Sequence, residues 1–504
     1  MDWKHIFGDE EPAEVFRYFS MISEIPRRSG DLRRISDFLL AFGCDLGLES
    51  RQDGALNVII EKNASPDYED EEPLILQAHM DMVCEQNQGT GHDFASDSIE
   101  LVREGDRIRA KGTSLGADNG LGVAFIMAVL ADGTLPHPAI EAVFTADEET
   151  DMAGAWALNL GALRGRTLVN LDAPAVTICG SGEMEVAMRF VPELVPVRRG
   201  WKFCSIAVNG LSGGHTGQDA TKERGNAIVL LHRILLGMEK QMEFQVVALW
   251  GGAGMSSAFA REAHCTVAVP PENMEFLVDL AEESEKIFRK ELHKKDPRVR
   301  VKCVPNIPGA MKGLNDGAYR KLSRLLTLLP DGVASRNFEF DGAMESCANV
   351  GVLELHKDEL LVTILIRSTS AARKYYLYDK VVALCDLLGI FHSVTRDIPH
   401  WERRADGALV EKLGAVYPDR PLGIAQGTLE CGIFGEKNPK LSIVALGAPY
   451  YSPHSPGEWF SMSETKVFWE GLLRFLRTKR AERREQLGLF DGTGDGEPDG
   501  AEGE

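Results

Sequence analysis

The sequence lacks the cysteine pairs that would indicate a disulfide framework or a thiolate zinc site. Its nine cysteines are an odd number, are scattered from Cys44 to Cys431, and include no CxxC pair. Such spacing is typical of reduced thiols in a cytoplasm. The N-terminal residues also lack the basic and apolar regions of a secretory signal peptide. We therefore expect a cytoplasmic protein without structural disulfides.

Long apolar runs and an excess of positive charge are absent as well. No stretch approaches the roughly 18 uninterrupted apolar residues that are needed to span a bilayer. The 504 residues carry 55 Lys and Arg against 76 Asp and Glu, which gives a formal net charge of −21. This balance argues against nucleic acid and against a membrane surface as partners.

Short apolar runs that alternate with helical patterns predict an α/β fold with a second domain inserted into it. Buried strands are expected at 74–78, 140–145 and 168–171, with an apolar helix at 119–130. From about residue 190 the pattern changes to that of a smaller α+β unit, and the α/β pattern returns after Pro399. The prediction is a discontinuous catalytic domain of residues 1–190 and 396–487, a lid or dimerisation domain of residues 191–395, and a disordered acidic tail of residues 488–504.

Histidines and carboxylates collect just beyond the ends of the predicted strands. They are His79 and Asp81, Glu148 and Glu149, Asp172, His454, and Asp118 in a glycine-rich turn. Each has an ordinary alternative, such as a hydrogen-bonded pair, a solvated charge run or a helix cap. Together they would leave many acids in one cleft, which requires cations for balance. Imidazole and carboxylate ligands suit Zn²⁺, Co²⁺ or Mn²⁺, and the set is large enough for two ions.

The same residues stand in motifs that resemble those of the M20 metallopeptidases, in particular the aminoacyl-histidine dipeptidase (Xaa-His dipeptidase) branch. The similarity spans about residues 13–480 and includes EIPRRSGD, HMDMV, GTSLGADNG, TADEETDMAGA, LVNLD, GLSGGHTG and GTLECG. It implies a zinc-peptidase-type catalytic domain, in which helices flank a mixed central sheet, and an inserted lid.

The resemblance also implies a role for each matching position near the metals. Five ligands would hold two divalent ions, most readily Zn²⁺: His79 and Asp172 for one ion, Glu149 and His454 for the other, and Asp118 as the bridge. Asp81 would orient His79. Glu148 would be the general base that takes a proton from the metal-bridging water and returns it to the leaving amine.

The lid would supply the residues that bind the substrate. His215 would steady the carbonyl oxygen, in some relatives from a partner subunit, and Arg367 would grip the terminal carboxylate. Glu430 would receive the free amino group. Two departures concern substrate choice: Ser257 replaces an expected asparagine, and Gln426 stands in a segment where the branch usually has a histidine.

These observations predict a dimetal-dependent hydrolase of unblocked dipeptides, with Xaa-His dipeptides as candidate substrates. A homodimer through the lid is compatible with the role of His215, although related single-subunit enzymes use such a histidine within one chain. The alternatives are an amidohydrolase that acts on N-acyl amino acids or a longer peptide, and a non-catalytic relative that binds metal and peptide.

Overall fold

The computed structural model describes most of the chain. The described residues are 3–305, 312–340, 342–356, 358–403, 405, 407–418, 420 and 422–479. The predicted acidic tail lies outside them. Two compact units are present: unit 1 comprises 1–176, 405–422 and the residues from 441 onward, and unit 2 comprises 177–404 and 423–440. The predicted domain boundaries and the lid role remain predictions.

The part of unit 1 before the first boundary begins with three helices, continues with five strands and then alternates between helices and strands. In chain order they are α1 (Trp3–Phe7), α2 (Ala13–Ser23), α3 (Arg33–Asp45), β1 (Glu49–Gln52), β2 (Val58–Lys62), β3 (Leu74–His79), β4 (Leu101–Glu104), β5 (Arg107–Ala110), α4 (Ala117–Ala131), β6 (Ile140–Thr145), α5 (Ala153–Ala157) and β7 (Thr167–Asn170). The boundary falls on the next strand, β8 (Val176–Gly180).

Unit 2 is built mainly from long strands and four longer helices. Its elements are β9 (Gly182–Phe190), β10 (Leu194–Pro196), β11 (Lys202–Asn209), α6 (Ala227–Glu239), β12 (Gln245–Gly251), β13 (Ala263–Val269), α7 (Met274–Glu291), β14 (Arg300–Pro305), β15 (Lys312–Leu314), α8 (Asp316–Leu328), β16 (Gly332–Asn337), β17 (Ala343–His356), β18 (Glu359–Ser368), α9 (Ala371–Leu388) and β19 (Phe391–Ile398).

The chain then returns to unit 1, with one excursion back to unit 2. The elements are α10 (Gly407–Val416), β20 (Leu422–Ala425), α11 (Cys431–Lys437), β21 (Ser442–Ala445), β22 (Tyr450–Tyr451), β23 (Trp459–Ser461) and α12 (Met462–Arg477). Of these, β20 after Leu422, α11 and the loop between them belong to unit 2.

A mixed sheet forms the centre of unit 1. Its strands run β1-β2-β6-β3-β7-β21. Strands β6, β3, β7 and β21 are parallel, while β1 and β2 join antiparallel at one edge. Strands β3 and β6 are buried along their whole length, as the continuous apolar runs predict for parallel strands. Helix α4 is buried on nearly every face, including Leu121 and Phe125. The predicted mixed α/β fold is confirmed.

Unit 2 has its own antiparallel sheet and its own core. The sheet runs β14-β11-β13-β12-β17-β18-β9-β19, with β16 paired to β17. Residues of α6, among them Ile228, Leu231 and Ile234, pack with apolar residues of the sheet in one buried cluster. Helix α6 begins where the Asn226 side chain accepts the backbone N–H of Ile228, which satisfies a free donor of the first turn.

No helix in the described part of the chain is long and apolar enough to cross a membrane.

Candidate metal centre

Polar side chains lie at the carboxyl ends of three parallel strands in the sheet of unit 1. His79 is the last residue of β3, Glu148 and Glu149 follow β6, and Asp172 follows β7. Because β3 pairs in parallel with both β6 and β7, the three strand ends lie side by side. The His79 Nε2 atom lies 3.8 Å from a carboxylate oxygen of Asp172 and 4.0 Å from one of Glu148.

The glycine-rich turn before α4 places Asp118 among these strand ends. Gly116 has a left-handed backbone with φ of 72° and lies against Arg27, so a Cβ atom there would clash with the arginine side chain. One Asp118 oxygen lies 3.2 Å from His79 Nε2, and its other oxygen lies 3.2 Å from His454 Nε2. His454 Nε2 also lies 3.1 Å from Glu149. Asp118 therefore stands between two imidazoles.

These side chains form three overlapping groups whose ligand atoms lie within 4.8 Å of one another. The groups are His79 with Asp118 and Asp172, Asp118 with Glu149 and His454, and His79 with Glu148 and Glu149. The first two share Asp118, the residue for which the resemblance implies a bridging role. The structure thus brings together all the residues that were predicted to hold metal.

Asp81 accepts hydrogen bonds from the backbone that carries Glu148 and Glu149. One oxygen accepts the backbone N–H of Glu148 at 3.0 Å, and the other accepts that of Glu149 at 3.1 Å and the Ser29 hydroxyl at 2.8 Å. The first oxygen lies 3.4 Å from His79 Nδ1. A single buried carboxylate therefore holds the turn that carries the two glutamates and lies beside the His79 ring.

Sequence reasoning missed three further supports. Arg27 donates to the carbonyl oxygens of Met80 and Asp81 at 3.2 and 3.1 Å, and to that of Gly116. Its only sequence signal was its place in the EIPRRSGD motif. Asn119, which sequence alone presents as ordinary turn chemistry, donates its amide to Asp172 at 2.6 Å and to the Leu171 carbonyl at 2.8 Å.

The third support is Glu458, which no sequence pattern had singled out. One of its oxygens accepts the backbone N–H groups of Leu115 and Gly116 at 2.7 and 2.8 Å, and the other accepts that of Asp118 at 3.2 Å. Glu458 is fully buried. The glycine-rich turn is therefore held by a carboxylate 340 residues away in the chain.

The electrostatics of the group reflect its excess of carboxylates. Burial and the Asp118 charge raise the pKa of both Glu149 and Asp172. Burial alone would raise the pKa of Asp118, but its hydrogen bonds with His454 and His79 lower it. Burial likewise opposes a charge on His79, yet Asp172 and Asp118 raise its pKa well above the usual value.

The donor set fits divalent cations. It offers only imidazole nitrogens and carboxylate oxygens, with no thiolate among the grouped atoms, and mixed ligands of this kind bind Zn²⁺, Co²⁺ and Mn²⁺. A carboxylate with one oxygen toward each of two ligand groups is suited to bridge a pair of ions.

Unit 2 contains a separate polar cluster that includes two predicted substrate residues. Arg367 lies near the end of β18 and is buried; its Nη2 atom lies 3.2 Å from Nε2 of His215. Its Nε donates to the Thr216 hydroxyl at 3.0 Å and its Nη1 to the Thr428 hydroxyl at 2.7 Å. Nη1 also lies 2.7 Å from Glu183, a residue to which the sequence pattern assigned no role.

The remaining predicted substrate residues also lie in unit 2. Glu430 is buried and directly precedes α11. Ser257 is half-buried, and its carbonyl accepts the backbone N–H of Thr216, beside His215. Gln426 accepts the backbone N–H of Met344 at 3.0 Å, so its side chain amide is committed to the backbone of β17.

Comparison with known proteins places the chain in a family. The sequence matches Peptidase family M20/M25/M40 over residues 75–478. The cytosol non-specific dipeptidase of Escherichia coli K12 is 28% identical over 476 residues, which cover 92% of this chain and 97% of that protein. The crystal structure of aminoacylhistidine dipeptidase from Vibrio alginolyticus is 30% identical, with a TM-score of 0.78, and the match covers 94% of this chain and 98% of that one.

A more distant structure shares the fold. Aminopeptidase PepT from Bacillus cereus is 15% identical, with a TM-score of 0.56 and coverage of 92% of this chain and 97% of its own. Because the family match spans most of the sequence, the chain that carries these candidate ligand groups is a hydrolase of the peptidase class. The chain belongs to Peptidase family M20/M25/M40.

Proposed function

We propose that this peptidase is a dimetal dipeptidase that cleaves the peptide bond of unblocked dipeptides. The observation that carries the proposal is Asp118, whose two oxygens face His79 and His454 at 3.2 Å each, with Asp172 and Glu149 beside them. The two relatives at 28% and 30% identity are named as dipeptidases, and one of them as an aminoacylhistidine dipeptidase. Xaa-His dipeptides are therefore the first substrates to test.

His79 and Asp172 would hold one ion, and Glu149 and His454 the other, with Asp118 between them. Zn²⁺ is the proposed native ion, and Co²⁺ or Mn²⁺ suits the same donors. When bound, such ions polarise a substrate carbonyl and lower the pKa of water. The protein's part is to hold the donors in place, which it does through Asp81 and Glu458.

Glu148 is proposed as the general base. Its backbone N–H is held by Asp81, and its side chain follows β6, the parallel neighbour of β3, and lies 4.0 Å from Nε2 of His79. From there it would accept a proton from the attacking water and return it to the nitrogen of the leaving amine. Because Glu148 also belongs to one of the three ligand groups, the test must separate a base from a metal ligand.

The unit 2 residues are proposed to bind the substrate. Arg367 would bind the terminal carboxylate through its fork of donors, and His215 would steady the carbonyl oxygen. Glu430 would receive the amino group and Ser257 would contact the substrate. We further propose that the protein forms a homodimer through unit 2. We also propose a cytoplasmic location, because the E. coli relative is named as a cytosol dipeptidase.

The test is hydrolysis of a dipeptide panel that includes Xaa-His, with Zn²⁺, Mn²⁺ or Co²⁺ supplied separately. We expect metal-dependent cleavage by the wild type and a fall in kcat of about 10²- to 10⁴-fold in Glu148→Gln. Elemental analysis should show that this variant still holds two metals per chain. Glu104→Gln, which alters an exposed ion pair with Arg109, is the matched control and should retain full activity.

Three results would contradict parts of the proposal. If Glu148→Gln binds one metal fewer, Glu148 is a ligand and not solely a base. If the two-metal wild type cleaves no free dipeptide but cleaves N-acyl amino acids or longer peptides, the substrate assignment is wrong. If it cleaves none of these, a non-catalytic binding role replaces the hydrolase.

A further inference from the structure

Glu183 lies between two arginines in unit 2. One of its oxygens lies 2.7 Å from Nη1 of Arg367, and the other lies 2.7 Å from Nε of Arg396. The Thr428 hydroxyl donates to Glu183 at 3.1 Å. Glu183 and Arg367 are buried, and Arg396 is half-buried.

The strand register makes this arrangement part of the fold. Glu183 on β9 is the direct cross-strand neighbour of Arg367 on β18, so their side chains leave the sheet on the same face. Arg396 lies on β19, which pairs with the opposite edge of β9. Burial opposes ionisation of Glu183, yet Arg367 and Arg396 lower its pKa, which keeps it charged. Glu183, Arg367 and Arg396 by themselves carry one net positive charge, and the Glu185 carboxylate lies 3.9 Å from Nη2 of Arg396.

The contacts of Arg367 divide its donors into two sets. Nε and Nη1 are directed at Thr216, Thr428 and Glu183. Nη2 faces His215 at 3.2 Å. A guanidinium is planar, so partners on Nε and Nη1 determine where the Nη2 donors point.

We propose that Glu183 is a positioning residue, which holds the Arg367 guanidinium so that its Nη2 edge is presented to the carboxylate of the substrate. The inference rests on the proposed dipeptidase function and deepens it, because it names a determinant of selectivity for a free C-terminal carboxylate over a neutral amide. Arg396 would keep Glu183 ionised and in place.

Charge and position predict opposite effects when Glu183 is changed to glutamine. The substitution raises the net charge of the three-residue cluster from one positive charge to two, and by charge alone it would tighten binding of a carboxylate. The substitution also removes the anion that pairs with both arginines, so that they repel each other and the Arg367 guanidinium is no longer held in one orientation. If this loss of position dominates, binding of a carboxylate weakens. We expect weaker binding, because planar recognition of a carboxylate depends on a fixed donor geometry.

The experiment compares a free dipeptide with the same dipeptide as its C-terminal amide. We expect the wild type to prefer the acid, and Glu183→Gln to raise KM for the acid about tenfold with kcat within about threefold, and with little change in kcat/KM for the amide. Loss of folded protein would lower the rates for both substrates equally and leave their ratio unchanged. Glu183→Asp keeps the charge but is one methylene shorter, and it should give an intermediate ratio.

Glu359→Gln is the matched control, because Glu359 pairs with Arg189 at 2.9 Å across the same two strands but is half-exposed. It should leave the acid-to-amide ratio unchanged. A lower KM for the acid in Glu183→Gln, or an unchanged ratio in both Glu183 variants, would overturn the inference while the wild type still cleaves dipeptides. A wild type that cleaves neither substrate would instead overturn the proposed function.

Discussion

Replacement of Glu458 by glutamine should weaken both the fold and the metal centre. Glu458 accepts three backbone N–H groups of the turn that carries Asp118. A glutamine can keep its oxygen toward Leu115 and Gly116, but its NH₂ group then faces the N–H of Asp118. A buried donor left without an acceptor costs about 1–3 kcal/mol. We therefore expect a loss of about 2 kcal/mol in the free energy of unfolding of the metal-free protein.

The effect should extend to metal binding because Asp118 belongs to two of the ligand groups. A residue that orients a ligand typically contributes a factor of about 10 to 100 in metal affinity. Calorimetric titration of the metal-free variant with Zn²⁺ measures this directly, and urea unfolding measures the stability. Glu100→Gln, which alters an exposed pair with Lys111, is the control. Wild-type metal affinity in Glu458→Gln would refute the assigned role of this carboxylate.

Two further substitutions test other parts of the structure. Asn119→Ala removes the amide that binds Asp172 and the Leu171 carbonyl, and it should lower metal affinity about tenfold; an unchanged titration would contradict this. Burial lowers the pKa of His232 to about 4, so the folded state resists protonation that the unfolded chain accepts near pH 6.5. The stability that this neutral histidine contributes is complete above pH 6.5 and falls by about 3 kcal/mol by pH 4. His232→Leu should lack this loss, and equal pH dependence of unfolding in both proteins would show that His232 is not its source.

The elements of the fold could be predicted because their signals are local. The expected strand at 140–145 is observed as Ile140–Thr145, and the expected helix at 119–130 is observed within Ala117–Ala131. Continuous apolar runs and helical periodicity are properties of neighbouring residues. The order of the strands in the unit 2 sheet was not predicted, since pairing between β12 and β17, for example, joins residues about 100 positions apart.

The candidate ligands could be predicted for the same reason, since each follows a recognisable strand or stands in a glycine-rich turn. Their supports could not. Glu458 and Arg27 bond to backbone groups of distant loops. Because every residue has such backbone groups, the sequence pattern does not indicate which of them a distant side chain will contact. Glu183 depends on a strand register that brings it opposite Arg367. The structure was also needed to show the contact of Gln426, whose side chain accepts the backbone N–H of Met344.

Arg27 has a consequence for how the chain can be divided. The family match begins at residue 75. The carbonyls of Met80, Asp81 and Gly116 nevertheless accept hydrogen bonds from Arg27, which lies 48 positions before that boundary. Ser29 of the same segment bonds the Asp81 carboxylate. An expression fragment cut at the family boundary would lose these donors and leave buried carbonyls unpaired. We therefore expect the smallest working fragment to start before Arg27. Natural sequence variants in this early segment should be judged as variants of the candidate metal centre.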